Sequence, residues 1–118
     1  MLKKEKLKKL NIAVIGNGKW SKVIQKNIIF NSSFKLSCII QKNIKQKTYT
    51  NVPVYENLFE ALESNKIDCV YVAVDPIINF EIFKICKSQS IPLILEKPLS
   101  NNYSKAKTIF DAVKNNKI

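Results

Sequence analysis

Apolar residues fall in short blocks separated by stretches of helical spacing. Residues 11–15 form an apolar run that ends at Gly16 and predict a buried strand. After Gly16-Asn17-Gly18, residues 19–30 read as a helix with Val23, Ile24, Asn27 and Ile28 as its inward stripe. Residues 34–40 predict a second apolar strand, and residues 41–51 a polar, lysine-rich loop. Residues 52–55 predict a short edge strand, the place where Pro53 is tolerated. Asn57 followed by Glu60 has the form of a capping box and opens a short helix with Leu58, Ala61 and Leu62 apolar. Residues 68–74 are almost unbroken in apolarity, as a strand buried on both faces requires. Residues 76–88 read as a helix started by Pro76, although their Ile and Phe content also suits a strand. Residues 91–95 predict another buried strand, and residues 104–116 a helix with Ala106, Ile109, Phe110 and Val113 at helical spacing. Strand alternating with helix predicts an α/β fold on a parallel sheet. The pattern is that of one domain over residues 11–118 behind a basic tail at residues 1–10.

Composition narrows the chemistry. A chain of 118 residues, 46% hydrophobic and 25% charged, buries enough surface to hold a core without disulfides or metal. No apolar run approaches the roughly 18 residues of a membrane span, and the lysine-rich start lacks the apolar segment of a secretory leader. Both point to a cytoplasmic protein with no membrane partner. Cys38, Cys69 and Cys86 sit inside apolar runs and read as buried thiols of a reducing compartment, not as metal ligands. All 20 basic residues are lysine, and histidine is absent. Histidine triads, histidine metal sites and histidine switches are therefore excluded. The net charge of +11 raises the question of nucleic acid. Without arginine, the bidentate reader of guanine is missing, so no specific nucleic-acid partner is expected. A small phosphate ligand suits the same charge.

Both of the chain's glycines lie in the first turn. Gly16 permits a tight exit from the strand. Gly18 lets the backbone approach a pyrophosphate resting on the helix N-terminus. Ser21 is small enough for the third, helix-packing position. A glycine pair alone also fits an ordinary strand–helix turn; the strand before it, the helix after it and the later alternation favour a dinucleotide turn. The acid expected at the end of the second strand is replaced by Gln41, followed by Lys42 and Asn43. A carboxylate there would repel a 2′-phosphate and these residues would not, so the sequence leans to NADP(H) over NAD(H). Lys42, Lys45 and Lys47 read equally as a solvated loop.

With the turn Gly16-Asn17-Gly18-Lys19-Trp20-Ser21 at one end, Leu95-Glu96-Lys97-Pro98-Leu99 at the other and Asp68-Cys69-Val70-Tyr71-Val72-Ala73-Val74-Asp75-Pro76 between them, the chain resembles the Gfo/Idh/MocA family, the glucose–fructose oxidoreductase and inositol dehydrogenase family. The resemblance implies a Rossmann domain of about five parallel strands flanked by helices. It implies hydride transfer between a nicotinamide and a sugar or cyclitol carbon. It assigns Lys97 to the substrate hydroxyl and its proton, a role an ammonium can play beside a developing alkoxide. Glu96 would orient Lys97 or line the nicotinamide pocket, with Asn79 near the nicotinamide. Gly16, Asn17, Gly18, Lys19, Trp20, Ser21, Gln41, Lys42, Val74 and Pro76 would hold the dinucleotide. Three departures stand out: Ser21 for the usual third glycine or alanine, Asp75 as a carboxylate beside the cofactor, and a length that lacks the family's sixth strand and substrate domain. Strand order 3-2-1-4-5 would leave residues 91–95 at a sheet edge, open to self-association or a partner chain. Three readings follow: an oxidoreductase half that is inactive alone, a non-catalytic nucleotide-binding or sensing module, and a structural remnant.

Overall fold

A computed structural model describes residues 8–42 and 51–115. The apolar runs become β1 (Leu10–Ile15), β2 (Phe34–Ile40), β3 (Val54–Tyr55), β4 (Cys69–Val72) and β5 (Leu93–Leu95). The helices are α1 (Lys19–Ile29), α2 (Leu58–Ser64), α3 (Asn79–Ser88) and α4 (Tyr103–Lys114), with a 3₁₀ turn at Pro76–Ile78. All strand pairs are parallel, in the order β3-β2-β1-β4-β5. The parallel sheet expected from strand–helix alternation is therefore present, in the Rossmann-type form that the family resemblance implies. Leu10 already belongs to β1, one residue ahead of the expected boundary.

Alternation along β1 divides the core between the two sheet faces. Ala13 and Ile15 join Cys38, Ile40, Val70 and Val72 beneath α2 and α3. Ile12 and Val14 pack with Leu36 and with Ile28 of α1. At the far end, Ile109 and Ala112 of α4 meet Phe83 of α3. The Asn57 cap is formed as expected: its Oδ1 accepts from the Glu60 N–H at 2.9 Å. Burial pushes the Cys38 and Cys86 thiols up to about 11, so both stay protonated and unreactive. Cys69 is half-buried, and all three cysteines are free.

Several apolar assignments change. The inward face of α1 is Ser21, Gln25 and Ile28, with Ile24 half-buried, whereas Val23 is 44% exposed and Asn27 is exposed. The helix is turned this way because two polar side chains find partners under the glycine turn. Ser21 Oγ donates to the Gly16 carbonyl at 2.6 Å, and Gln25 Nε2 donates to Ser21 Oγ at 3.1 Å. A count of apolar positions cannot register a buried polar stripe. On α4, Ile109 and Ala112 point inward, while Phe110 and Val113 are each 57% exposed. β4 is fully buried on one face only: Val70 and Val72 are inaccessible, but Cys69 and Tyr71 are half-buried because α1 packs chiefly over β1 and β2. β5 lies at the sheet edge, as the strand order implies, and is not buried as its apolar run suggests. Leu93 and Leu95 pack toward α3 and α4, and Ile94, on the opposite face, is 46% exposed. Residues 76–88 are helical, split into the 3₁₀ turn and α3. The predicted lysine-rich loop falls largely on residues 43–50, and most of the basic tail on residues 1–7, both outside the described residues.

Candidate functional site

The carboxyl ends of the parallel strands converge on the glycine turn, the place where open α/β sheets bind ligands. Gly16 has φ +113°. A Cβ there would lie 2.4 Å from Val74 Cγ1 and 2.7 Å from the Ala73 carbonyl oxygen. Glycine at this position lets the turn out of β1 pass directly against the chain leaving β4. Gly18 is different. It caps α1 in an extended conformation with φ −82°, and a Cβ there would meet nothing within 4 Å. Among the described residues no side chain caps α1, so backbone donors of its first turn are open to a ligand or to solvent.

A cleft of about 790 Å³ opens beside this turn. Of the residues expected from sequence, Gly16, Asn17, Gly18, Gln41, Lys42 and Val74 line it. Asn17 is buried and accepts from Gln25 Nε2 at 3.3 Å. Gln41 is buried, and Lys42 is exposed at the rim. Lys19, Trp20, Ser21, Pro76, Asn79, Glu96 and Lys97 do not line the cleft. Asp75 does, and its carboxylate also shapes the chain locally, since Oδ1 accepts from the Ile77 N–H at 2.9 Å and starts the 3₁₀ turn.

Among the cleft residues that the sequence reading did not single out are two acids, Glu56 and Glu81. Glu56 lies fifteen positions after Gln41 along the chain, yet the two are brought to neighbouring strand ends. The β2–β3 register pairs Ile40 with Tyr55, and the Gln41 N–H donates to the Tyr55 carbonyl at 2.9 Å. The absence of an acid near Gln41 thus holds along the chain but not in space.

The second group gathers around Glu96, just past β5. Its Oε1 accepts from Trp20 Nε1 at 2.8 Å and from the Tyr71 hydroxyl. These two donors, helped by the neighbouring Lys97 ammonium, hold the Glu96 carboxyl below its ordinary range. Burial, reinforced by the hydrogen bond and charge of Glu96, pushes Tyr71 up to about 12. Glu96 and Lys97 form no ion pair; among the described residues the pairs are Lys84–Glu81 and Lys107–Asp111, both exposed. Asn79 is buried, with Nδ2 donating to the carbonyls of Glu96 at 3.4 Å and Pro98 at 3.3 Å. It therefore grips the backbone on both sides of Lys97, while its own Oδ1 is buried without a partner. Lys97 itself is exposed. Tyr71 gave no sequence signal, because its ring reads as one more apolar residue of β4. Among the described residues no cluster of Cys, Asp or Glu could hold a metal, and no helix is long and apolar enough to cross a membrane.

Residues 10–118 match the sequence profile of Gfo/Idh/MocA, the oxidoreductase family with a NAD-binding Rossmann fold. The chain belongs to this family. YgjR of Escherichia coli K12, an uncharacterized oxidoreductase of the curated proteins, is 25% identical over 114 residues, covering 92% of this chain and 35% of YgjR. An uncharacterized oxidoreductase of Schizosaccharomyces pombe is 30% identical over 66 residues, which are 56% of this chain and 18% of that protein. Among solved structures, myo-inositol 2-dehydrogenase from Lactobacillus plantarum superposes with a TM-score of 0.81 at 18% identity, over 92% of this chain and 34% of its own. GenD2 from gentamicin A biosynthesis, solved in complex with NAD, gives 0.80 at 19% identity, over 98% of this chain and 34% of its own. At these identities the structural likeness is one of fold. The Gfo/Idh/MocA domain described here spans about a third of the length of these solved relatives.

Proposed function

We propose that this domain binds a nicotinamide dinucleotide, NADP(H) ahead of NAD(H), as the cofactor half of a sugar- or cyclitol-type oxidoreductase. The observation that carries this reading is the empty space at Gly18. Its φ of −82° is open to any residue and a Cβ would touch nothing, so the fold does not require glycine there. Something outside the described chain accounts for it, and a pyrophosphate approaching the uncapped start of α1 does so. The neighbouring cleft of about 790 Å³ is of a size to take the adenosine part.

In this reading Gly16, Asn17, Gly18 and the first turn of α1, with Lys19, Trp20 and Ser21, form the phosphate turn. Val74 and Pro76 follow β4 beside it, and Asn79 supports the nicotinamide end from below. The bound nicotinamide would give or accept a hydride. Lys97, exposed past β5, would polarise the substrate hydroxyl and share its proton. Little or no sugar-dependent reduction of NADP⁺ is expected from these 118 residues by themselves.

The choice between dinucleotides rests on Lys42 against Glu56. Gln41 and Lys42 leave β2, the strand next to the glycine turn, whereas Glu56 leaves β3, one strand further out. The lysine is thus better placed for a 2′-phosphate. Parallel titrations of Trp20 fluorescence with NADPH and NADH test this. Lys42→Glu is expected to weaken NADPH about tenfold, or about 1.4 kcal/mol, with NADH nearly unchanged. Equal loss for both nucleotides, or a wild-type preference for NADH, would remove the assignment of NADP(H).

We also propose that β5 mediates self-association or pairing with a partner chain. Among the described residues no strand pairs with its outer edge, the kind of edge that invites pairing, and Ile94 adds exposed apolar surface. Light scattering should show mass rising with concentration, and Ile94→Lys should suppress the rise. A monomer at every concentration tested counts against the edge.

A further inference from the structure

We propose that Trp20 and Tyr71 are positioning residues: by holding the Glu96 carboxylate they tie the Lys97 segment to the first turn of α1, so that occupation of the glycine turn is felt at Lys97. This rests on the dinucleotide reading above and gives Glu96 hydrogen-bond partners other than Lys97.

The geometry is a latch between two segments 76 residues apart. Trp20 is the second residue of α1, directly after the Gly18 cap and Lys19. Its indole N–H reaches Glu96 Oε1 at 2.8 Å. Tyr71 pairs in register with Ile94 of β5, which brings its hydroxyl to the same carboxylate oxygen. Two neutral donors on one anionic acceptor make charge-assisted bonds, stronger than neutral ones. Asn79 of α3 in turn donates to the carbonyls of Glu96 and Pro98. The backbone that carries Lys97 is thereby gripped from α3, β4 and α1 together. Glu96 Oε1 is taken by Trp20 and Tyr71, and Lys97 forms no direct ion pair with it.

The titratable and charged groups that act on Glu96 are Tyr71 from β4 and Lys97 beside it; Trp20 from α1 contributes a neutral donor. Glu96 is held below its ordinary carboxyl range and Tyr71 is pushed up to about 12. The sign follows for a carboxyl lowered by folding. The latch is closed above the ordinary glutamate range and opens only as the pH falls through the depressed value of Glu96.

The single indole of the chain gives one N–H signal in a ¹H–¹⁵N spectrum, and that signal reads the latch. In the wild-type chain it should titrate in acid with a midpoint below that of ordinary glutamate. The titration should vanish in Glu96→Gln and move to higher pH in Tyr71→Phe. Saturating NADPH should shift the Lys97 amide in wild type. In Tyr71→Phe that shift should be lost while the Gly16 and Gly18 amides still respond. Thermal melts identify any variant that has unfolded, and Glu96→Asp supplies a second, conservative probe expected to keep part of the Lys97 response. An indole signal flat through acid, or a Lys97 shift equal to wild type in Tyr71→Phe, overturns the latch. Absence of any nucleotide shift at Gly16 and Gly18 in wild type instead overturns the dinucleotide reading, and with it the coupling.

Discussion

Gly16→Val is expected to leave little folded protein. Two independent costs meet at this residue. The φ of +113° is a region side chains rarely adopt, at a cost on the order of 1–3 kcal/mol. The new Cβ would also lie 2.7 Å from the Ala73 carbonyl oxygen, a backbone atom that cannot swing aside, and 2.4 Å from Val74 Cγ1. Overpacking of this kind costs about 1–3 kcal/mol more. Relieving it means separating β1 from the chain leaving β4, yet the Ala73 N–H donates to the Ile15 carbonyl at 2.9 Å and the Gly16 N–H to the Ile40 carbonyl at 2.8 Å. A loss of about 4 kcal/mol is a large part of the roughly 5–15 kcal/mol that domains possess. Urea denaturation and thermal melting should show the midpoint falling by roughly 10 °C or more. Gly16→Ala should fall in the same direction by less. A Val variant that melts with wild type would mean that the turn does not pass against β4 as described.

Much of this frame was legible because its signals are local. The alternation of apolar strands and helices predicts the parallel sheet, and the Asn57–Glu60 cap appears where the spacing placed it. The glycine turn was legible as a turn, but not the reason Gly16 must be glycine, since Val74 and Ala73 arrive from 57 residues or more along the chain. The parts that escaped are those in which polar groups are satisfied by tertiary partners. Gln25 reads as solvent-facing, yet it is buried beside Ser21 and Asn17. Glu56 is placed beside Gln41 only by the β2–β3 register. Tyr71 reads as core, yet its hydroxyl serves Glu96. On α4 the opposite error arises: Phe110 and Val113 fit helical spacing, but the shallow contact of α4 with α3 and β5 covers only the stripe of Ile109 and Ala112. Apolar periodicity tells which residues could face a core, and the width of the packed neighbour decides how many do.

Gly18→Glu should have the converse effect: folding is kept and dinucleotide binding is lost. The extended conformation at Gly18 suits any residue, and its Cβ enters open space. Glycine is a better helix cap than a residue without a short capping side chain by about 1 kcal/mol, so the melting temperature should fall by only about 4–8 °C. At the phosphate turn the added carboxylate would occupy the approach to α1 and oppose the charge of a pyrophosphate. Like charges brought together in an interface cost several kcal/mol, and about 1.4 kcal/mol is tenfold in affinity. A fall of about a hundredfold or more in NADPH affinity is therefore expected by calorimetry. The net charge of +11 provides the control. Non-specific attraction of polyanions depends on the summed lysine charge and on salt, so heparin binding should survive the substitution almost intact. Joint loss of heparin and NADPH would trace both to general charge. NADPH binding unchanged in a well-folded Gly18→Glu would remove the glycine turn as the phosphate site, because no property of the fold would then explain why this chain keeps one of its two glycines there.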